Sequence, residues 1–144
     1  MEIKPETIKE IADMLAMGML CFYHKTTGEL EYYPDELKNP GYDEELWVEA
    51  IDRVAENYGD YLRLEGMSSR ESFKVMENFI DGINHIPTHN RFIAAISKKK
   101  PFSHFNDLIG YYPQLRQEWF LFKDACYIDF VKRQIEDLTM PPSI

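Results

Sequence analysis

The residues most able to do chemistry together lie in the last third of the chain. Phe102, His104, Phe105, Arg116 and Trp119 could surround a pocket between the last two helices, with Asp107 beside them. A guanidinium pairs a carboxylate or a phosphate in a planar fork, so Arg116 is the natural anion partner of that group. Together, His104, Asp107 and Arg116 could serve a small hydrolase or transferase. The competing reading makes the rings core and gives Arg116 a surface ion pair. His104, Asp107, Arg116 and Trp119 are therefore carried forward as candidate binding residues, with no catalytic residue assigned.

Other constellations are less complete. His85 and His89 have the i, i+4 spacing that can set two imidazoles on one helical face. Pro87 lies between them, however, and no Cys or clear acid completes a ligand set, so no metal is expected. Glu77 and Asp81 share the same spacing and could share a proton or a cation, but two acids so placed ordinarily form a solvated face. No G-x-S-x-G is present, and no Gly-rich loop occurs among the seven glycines. No cofactor is expected. Cys21 and Cys126 are the two cysteines, without a CxxC, and read as reduced core or near-core thiols of a cytosolic protein.

The charge is unevenly distributed. Residues 1–88 carry 8 Lys and Arg against 19 Asp and Glu, a net −11, whereas residues 89–144 carry 8 against 6, a net +2. The acidic front argues against binding a phosphate backbone, which needs clustered cations, so nucleic acid is an unfavoured partner. The mildly basic rear keeps a small anion or an acidic partner in play. No run of about 18 apolar residues exists to span a membrane. The charged start MEIKPETIKE has no apolar segment of the secretory kind, and a cytoplasmic location is expected. A length of 144 residues suits one domain. It divides into a sheet-containing part over 1–66, a helical part over 67–138 and a loose tail over 139–144.

The elements that must position these residues are legible by period. From Pro5 to Met17, Ile8, Ile11, Ala12 and Leu15 recur at helical spacing, and Gly18 suits the C-terminal cap. The next stretch alternates around Thr26-Thr27-Gly28, a hairpin turn, and Pro34 ends its second strand. Asp43 can cap a helix in which Leu46, Ala50, Val54 and Tyr58 repeat every fourth residue, with Trp47 and Ile51 alongside, up to Gly59. Trp47 could be a ligand platform, though core is the simpler reading. Residues 60–65 alternate and predict a third strand paired with the hairpin. Ser68 and Glu71 form a capping box for a helix carrying Phe73, Met76, Phe79, Ile80 and Ile83. A short helix over Asn90–Lys99 follows, then one opened by Pro101 and closed at Gly110, then a long last helix of about 25 residues opened by Pro113. That last helix is apolar over much of its circumference, through Leu115, Trp119, Phe122, Cys126 and Phe130 flanked by Phe120, Tyr127, Val131 and Ile135. It must be covered on more than one side, by its own domain or by a partner.

Several strings carry a family resemblance. They are Tyr61-Leu-Arg-Leu, Glu71-Ser-Phe-Lys-Val-Met-Glu-Asn-Phe-Ile-Asp81, Pro101-Phe-Ser-His-Phe-Asn-Asp-Leu108 and Tyr112-Pro-Gln-Leu-Arg-Gln-Glu-Trp-Phe120. They resemble the uncharacterised bacterial protein family numbered 0158 in the UPF series, well over about 61–137 and more loosely over the hairpin. In that family a basic pair often stands between the two Phe, with a basic residue before the Asp. Here Ser103, His104 and Asn106 occupy those places. The resemblance implies a small α+β fold and no established activity.

The expectation is an α+β fold: a small antiparallel sheet of about three strands (a hairpin near 19–33 plus 60–65) with five to six helices, the C-terminal helical array dominated by the long last helix. The function that fits first is a non-catalytic protein-binding or regulatory module acting through a protein partner or a second copy. A hydrolase or transferase with a pocket between the last two helices is the alternative, and weak nucleic-acid binding through Lys98–Lys100 and Arg116 a third reading.

Overall fold

The computed structural model describes residues 2–140. It is an α+β fold of six α-helices and one three-stranded antiparallel sheet. Its contacts divide into two compact units, one of residues 1–67 with 127–144 and one of residues 68–126. The expected tail over 139–144 lies beyond the description from residue 141 onward.

The first unit holds the sheet. Helix α1 (Pro5–Ala16) buries Ile11, Ala12 and Leu15. Gly18 follows with φ +86°, a left-handed conformation that closes the helix and turns the chain into β1 (Met19–His24). Gly28, at φ +76°, lets the chain return as β2 (Leu30–Pro34). A 3-10 turn (Glu44–Trp47), helix α2 (Val48–Glu56), a second 3-10 turn (Tyr58–Asp60) and β3 (Tyr61–Leu64) complete this part. The strand order is β2-β1-β3, with Phe22 opposite Glu31 on one side and Arg63 on the other.

Alternation sorts the side chains of β1. Leu20 and Phe22 cluster with Val54 of α2, and Tyr33 and Tyr61 pack against them. Cys21 points oppositely and is fully buried, as is Leu64, its partner across the β1–β3 ladder. The Cys21 thiol is pushed up to about 12 by burial and, secondarily, by the Glu10 carboxylate of α1. Both cysteines are thiols.

The second unit is helical. Helix α3 (Ser69–Asp81) starts at the predicted capping box: Ser68 Oγ accepts from Glu71 N–H at 3.1 Å, and Glu71 Oε1 accepts from Ser68 N–H at 3.0 Å. Helices α4 (Ile86–Ile96) and α5 (Pro101–Ile109) follow. Helix α6 (Pro113–Thr139) belongs to this unit through Cys126 and to the sheet-containing unit from Tyr127. Met76, Phe79, Ile80, Phe92, Ile96, Phe105, Ile109 and Trp119 form one buried cluster within residues 68–126.

Two local expectations need correction. The stretch after Asp43 is not one helix. Asp43 does cap it, accepting from Glu45 N–H at 3.1 Å, but the first turn is 3-10. A 3-10 turn advances about 120° per residue instead of 100°, so the every-fourth-residue stripe breaks. Val54 is buried, while Leu46 and Tyr58 are exposed. Helix α4 also begins four residues earlier than its apolar face suggests. Pro87 sits in its first turn, where a missing N–H is harmless, and His85 is the N-cap. Among the described residues, no helix is long and apolar enough to cross a membrane.

Candidate functional site

Of the four residues singled out in the sequence, the structure brings two together. His104 and Asp107 of α5 line a shallow hollow of about 370 Å³ with Arg91, Ala94 and Lys98 from the α4 side and Tyr111 beyond α5. Arg91 is held in place by Tyr112, its Nη1 donating to the phenol oxygen at 2.8 Å. The other two stand elsewhere. Trp119 is buried, its ring 4.9 Å from that of Phe105 and 5.2 Å from that of Phe79. Where Phe105 meets Trp119, the space between α5 and α6 is filled by aromatic packing. Arg116 lies over the exposed ring of Phe120, 4.9 Å from its centroid, and Lys123 stands 5.8 Å from the same centroid. The hollow thus carries three nitrogen-bearing groups, from Arg91, Lys98 and His104, against one carboxylate from Asp107. That set could receive a small anion.

The paired histidines take local roles. His85 Nδ1 lies 2.7 Å from Thr88 Oγ1 and accepts from Thr88 N–H at 3.4 Å, which closes the start of α4. His89 Nδ1 faces Asn90 Oδ1 at 3.5 Å. Among the described residues, no group of three His, Cys, Asp or Glu is placed to hold a metal ion.

A larger hollow, about 640 Å³, lies in the sheet-containing unit along the outer side of β2. It is lined by Leu30, Glu31 and Tyr32 of β2 and by Leu46, Trp47 and Val48 across from them, with Glu45, Glu49 and Arg53 around it. Arg53 staples α2 to the strand by a bidentate pair with Glu31, at 2.8 and 2.9 Å. The hydrogen bond and charge of Glu31 hold this guanidinium above its ordinary range. Trp47 and Tyr32 face one another with ring centroids 6.4 Å apart. Leu46 is 78% exposed and Val48 49% exposed.

The backbone of β2 adds to this hollow. His24 N–H donates to Glu29 O at 2.9 Å, and Lys25 N–H donates to Asp60 O at 2.9 Å. In an antiparallel ladder the bonding side alternates residue by residue. Even-numbered residues of β1 therefore bond to β2 and odd-numbered ones to β3. On β2 this turns the N–H and C=O groups of Leu30 and Tyr32 away from the sheet, at two of the three β2 positions that line the hollow.

Sequence reasoning passed over this place. It read Leu46 as part of an interior stripe and Trp47 as core. One signal was available: Leu46, Trp47 and Val48 are consecutive. Three adjacent apolar side chains cannot all face one way from a helical turn.

Against known proteins, residues 22–138 match the family model described as Uncharacterised protein family (UPF0158). The chain belongs to UPF0158. The matched UPF0158 span takes in both hollows and leaves α1 outside it. A curated UPF0158 relative, UPF0158 protein PA5073 of Pseudomonas aeruginosa, is 23% identical over 94 residues, which is 65% of this chain. The aligned part spans 61% of that relative's own length. No solved structure matches the chain.

Proposed function

We propose that this chain is a non-catalytic protein-binding module whose contact face is the hollow along β2. One observation carries the reading: Leu46 and Val48, both large, apolar and exposed, flank Trp47 opposite a strand edge whose residues line the same concavity. Exposed apolar side chains gathered round a hollow mark contact surfaces more often than isolated ones do. Aromatic anchors such as Trp47 and Tyr32 are the residue types that dominate binding energy at such surfaces.

The test is substitution at the rim. Leu46→Asp leaves Val54 and the other buried residues of the unit untouched, so the fold should persist by circular dichroism. Tagged wild-type protein should retain a specific protein from native lysate, and the variant should lose it. Size exclusion with light scattering decides whether that protein is a second copy. A monomer that retains the same proteins with and without the substitution overturns the reading.

The hollow between α4 and α5 supports a second reading, a small hydrolase or transferase acting on an anionic substrate. What favours it is the convergence of His104 and Asp107 with Arg91 and Lys98 on one concavity. Loss of turnover on His104→Ala, in a screen of phosphorylated and carboxylated small molecules, would support it. An unchanged screen would remove it.

A further inference from the structure

Taking the hollow along β2 as the contact face proposed above, we infer that its occupant is a cationic peptide segment in extended conformation, added to the sheet as a fourth strand beside β2. Three independent features meet at this place. The first is the state of the two sheet edges. The edge at β3 is met just past the strand end by Gln134, whose side-chain amide bonds to both the N–H and the C=O of Glu65 at 2.9 Å. Within β3 the outward backbone groups of Arg63 are as open as those of β2 among the described residues, and what sets the β2 edge apart is the hollow beside it. Among the described residues no donor or acceptor bonds to the outward N–H or C=O of Leu30 or Tyr32. A strand edge with free backbone groups is a template for another strand.

The second feature is the lining. A strand laid against β2 presents alternate side chains to opposite faces. The lining offers those side chains both apolar or aromatic groups, from Leu46, Trp47 and Val48, and carboxylates, from Glu31, Glu45 and Glu49.

The third feature is charge, and it selects the occupant. Among the described residues, Glu31, Glu45 and Glu49 line the hollow against one cation, Arg53, which is already paired with Glu31. The unit that contains it carries 8 Lys and Arg against 19 Asp and Glu, a net −11, while residues 68–126 carry a net +2. A segment bearing Lys or Arg at alternate positions is drawn to this edge, and an acidic segment is repelled. The same field disfavours pairing β2 with β2 of a second copy, since that would set two units of net −11 against each other.

The probe is a synthetic peptide of alternating lysine and valine, seven residues long, followed by fluorescence anisotropy and by amide hydrogen exchange of the intact chain. Saturable binding is expected, weakening as salt rises, together with slowed exchange at the Leu30 and Tyr32 amides. Alternate N-methylation of the peptide keeps every charge but removes the backbone donors. It should weaken binding about fivefold for each bond lost. Glu45→Gln and Glu49→Gln should each weaken it about threefold.

The inference is overturned if the peptide does not bind at low salt. It is equally overturned if a glutamate–valine peptide or the N-methylated peptide binds as well, or if protection appears away from β2. The two levels separate cleanly. Peptide failure with partner loss on Leu46→Asp overturns strand addition alone, whereas unchanged partner retention on Leu46→Asp overturns the contact face itself.

Discussion

The side-chain amide of Gln134 accepts a hydrogen bond from Glu65 N–H and donates one to Glu65 C=O, both at 2.9 Å. A primary amide sets its oxygen and one of its two N–H donors side by side, as an extended residue sets its own C=O and N–H, so Gln134 of α6 stands where a neighbouring strand would. Glu65 extends the outward-facing series of β3, and the amide occupies that position. Gln134→Ala should cost about 1 kcal/mol by urea denaturation, near the usual value for partly exposed bonds. Gln134→Glu lacks the donor and should recover none of the bond to the Glu65 carbonyl. A wild-type midpoint in either variant would show that the pair contributes nothing.

Gly66 is packed tightly within the same unit. A Cβ placed there would lie 2.6 Å from Lys38 Nζ, 3.0 Å from Leu15 O and 3.1 Å from Tyr127 Oη. The ammonium can move only by giving up its 2.9 Å bond to Met67 O, and the Tyr127 hydroxyl accepts from Met67 N–H at 3.0 Å. Gly66→Ala should therefore destabilise by about 2 kcal/mol, as overpacking does. Gly59→Ala, with open space around it, is the control and should be near neutral. Equal urea midpoints for the two variants would contradict this account.

Tyr127→Phe tests the other side of that contact. It keeps the ring and deletes the oxygen that pairs with the buried Met67 N–H. An orphaned buried donor costs about 1–3 kcal/mol. The loss should appear in urea midpoints and in faster exchange of the Met67 amide. Unchanged exchange would mean that the amide finds another partner.

Cys21 yields a pH prediction whose sign follows from its burial. Its thiol, ordinarily near 9.0, is pushed up to about 12 in the folded chain. The unfolded chain therefore gives up this proton first as pH rises. The contribution of Cys21 is intact below about pH 9 and is lost progressively between about 9 and 12. In Cys126→Ser protein, where Cys21 alone reports, a thiol reagent at pH 8 should react only at the rate of unfolding. Denaturation midpoints should fall across the alkaline window, and Cys21→Ala should flatten part of that fall. Rapid labelling of the folded chain would refute the assignment.

Phe105 and Arg116 separate core from surface among the residues first singled out. Phe105 is 1% exposed and meets the rings of Phe79, Phe92 and Trp119. Phe105→Ala should cost about 3–5 kcal/mol. Arg116→Ala removes only a surface contact with Phe120 and should cost less than about 1 kcal/mol. Calorimetry of the two variants checks the ratio, and comparable losses would place Arg116 in the core.

Much of the fold was legible because its signals are local. Gly18 and Gly28 mark two turns made with a left-handed φ, and Ser68 with Glu71 marks the start of α3. Pro101 and Pro113 mark the starts of α5 and α6. Each of these depends on a few adjacent residues, so the sequence by itself determined the strands, four of the six helix starts and the family. The start of α4 escaped because Pro87 looks like a breaker until His85 is seen to cap the turn before it.

What only the tertiary structure decided is which of these elements meet. His104 and Asp107 share a concavity with Arg91 of the neighbouring helix and Lys98 just past its end, while Arg116 lies over Phe120 and Trp119 fills the core. The 3-10 turn moved Leu46 out of its expected stripe, and Gln134 pairs the backbone of Glu65, just past β3, from 69 residues further along the chain. Helical and strand periods describe a segment against its own axis. Packing between segments follows from long-range burial and hydrogen bonding, which no local period encodes.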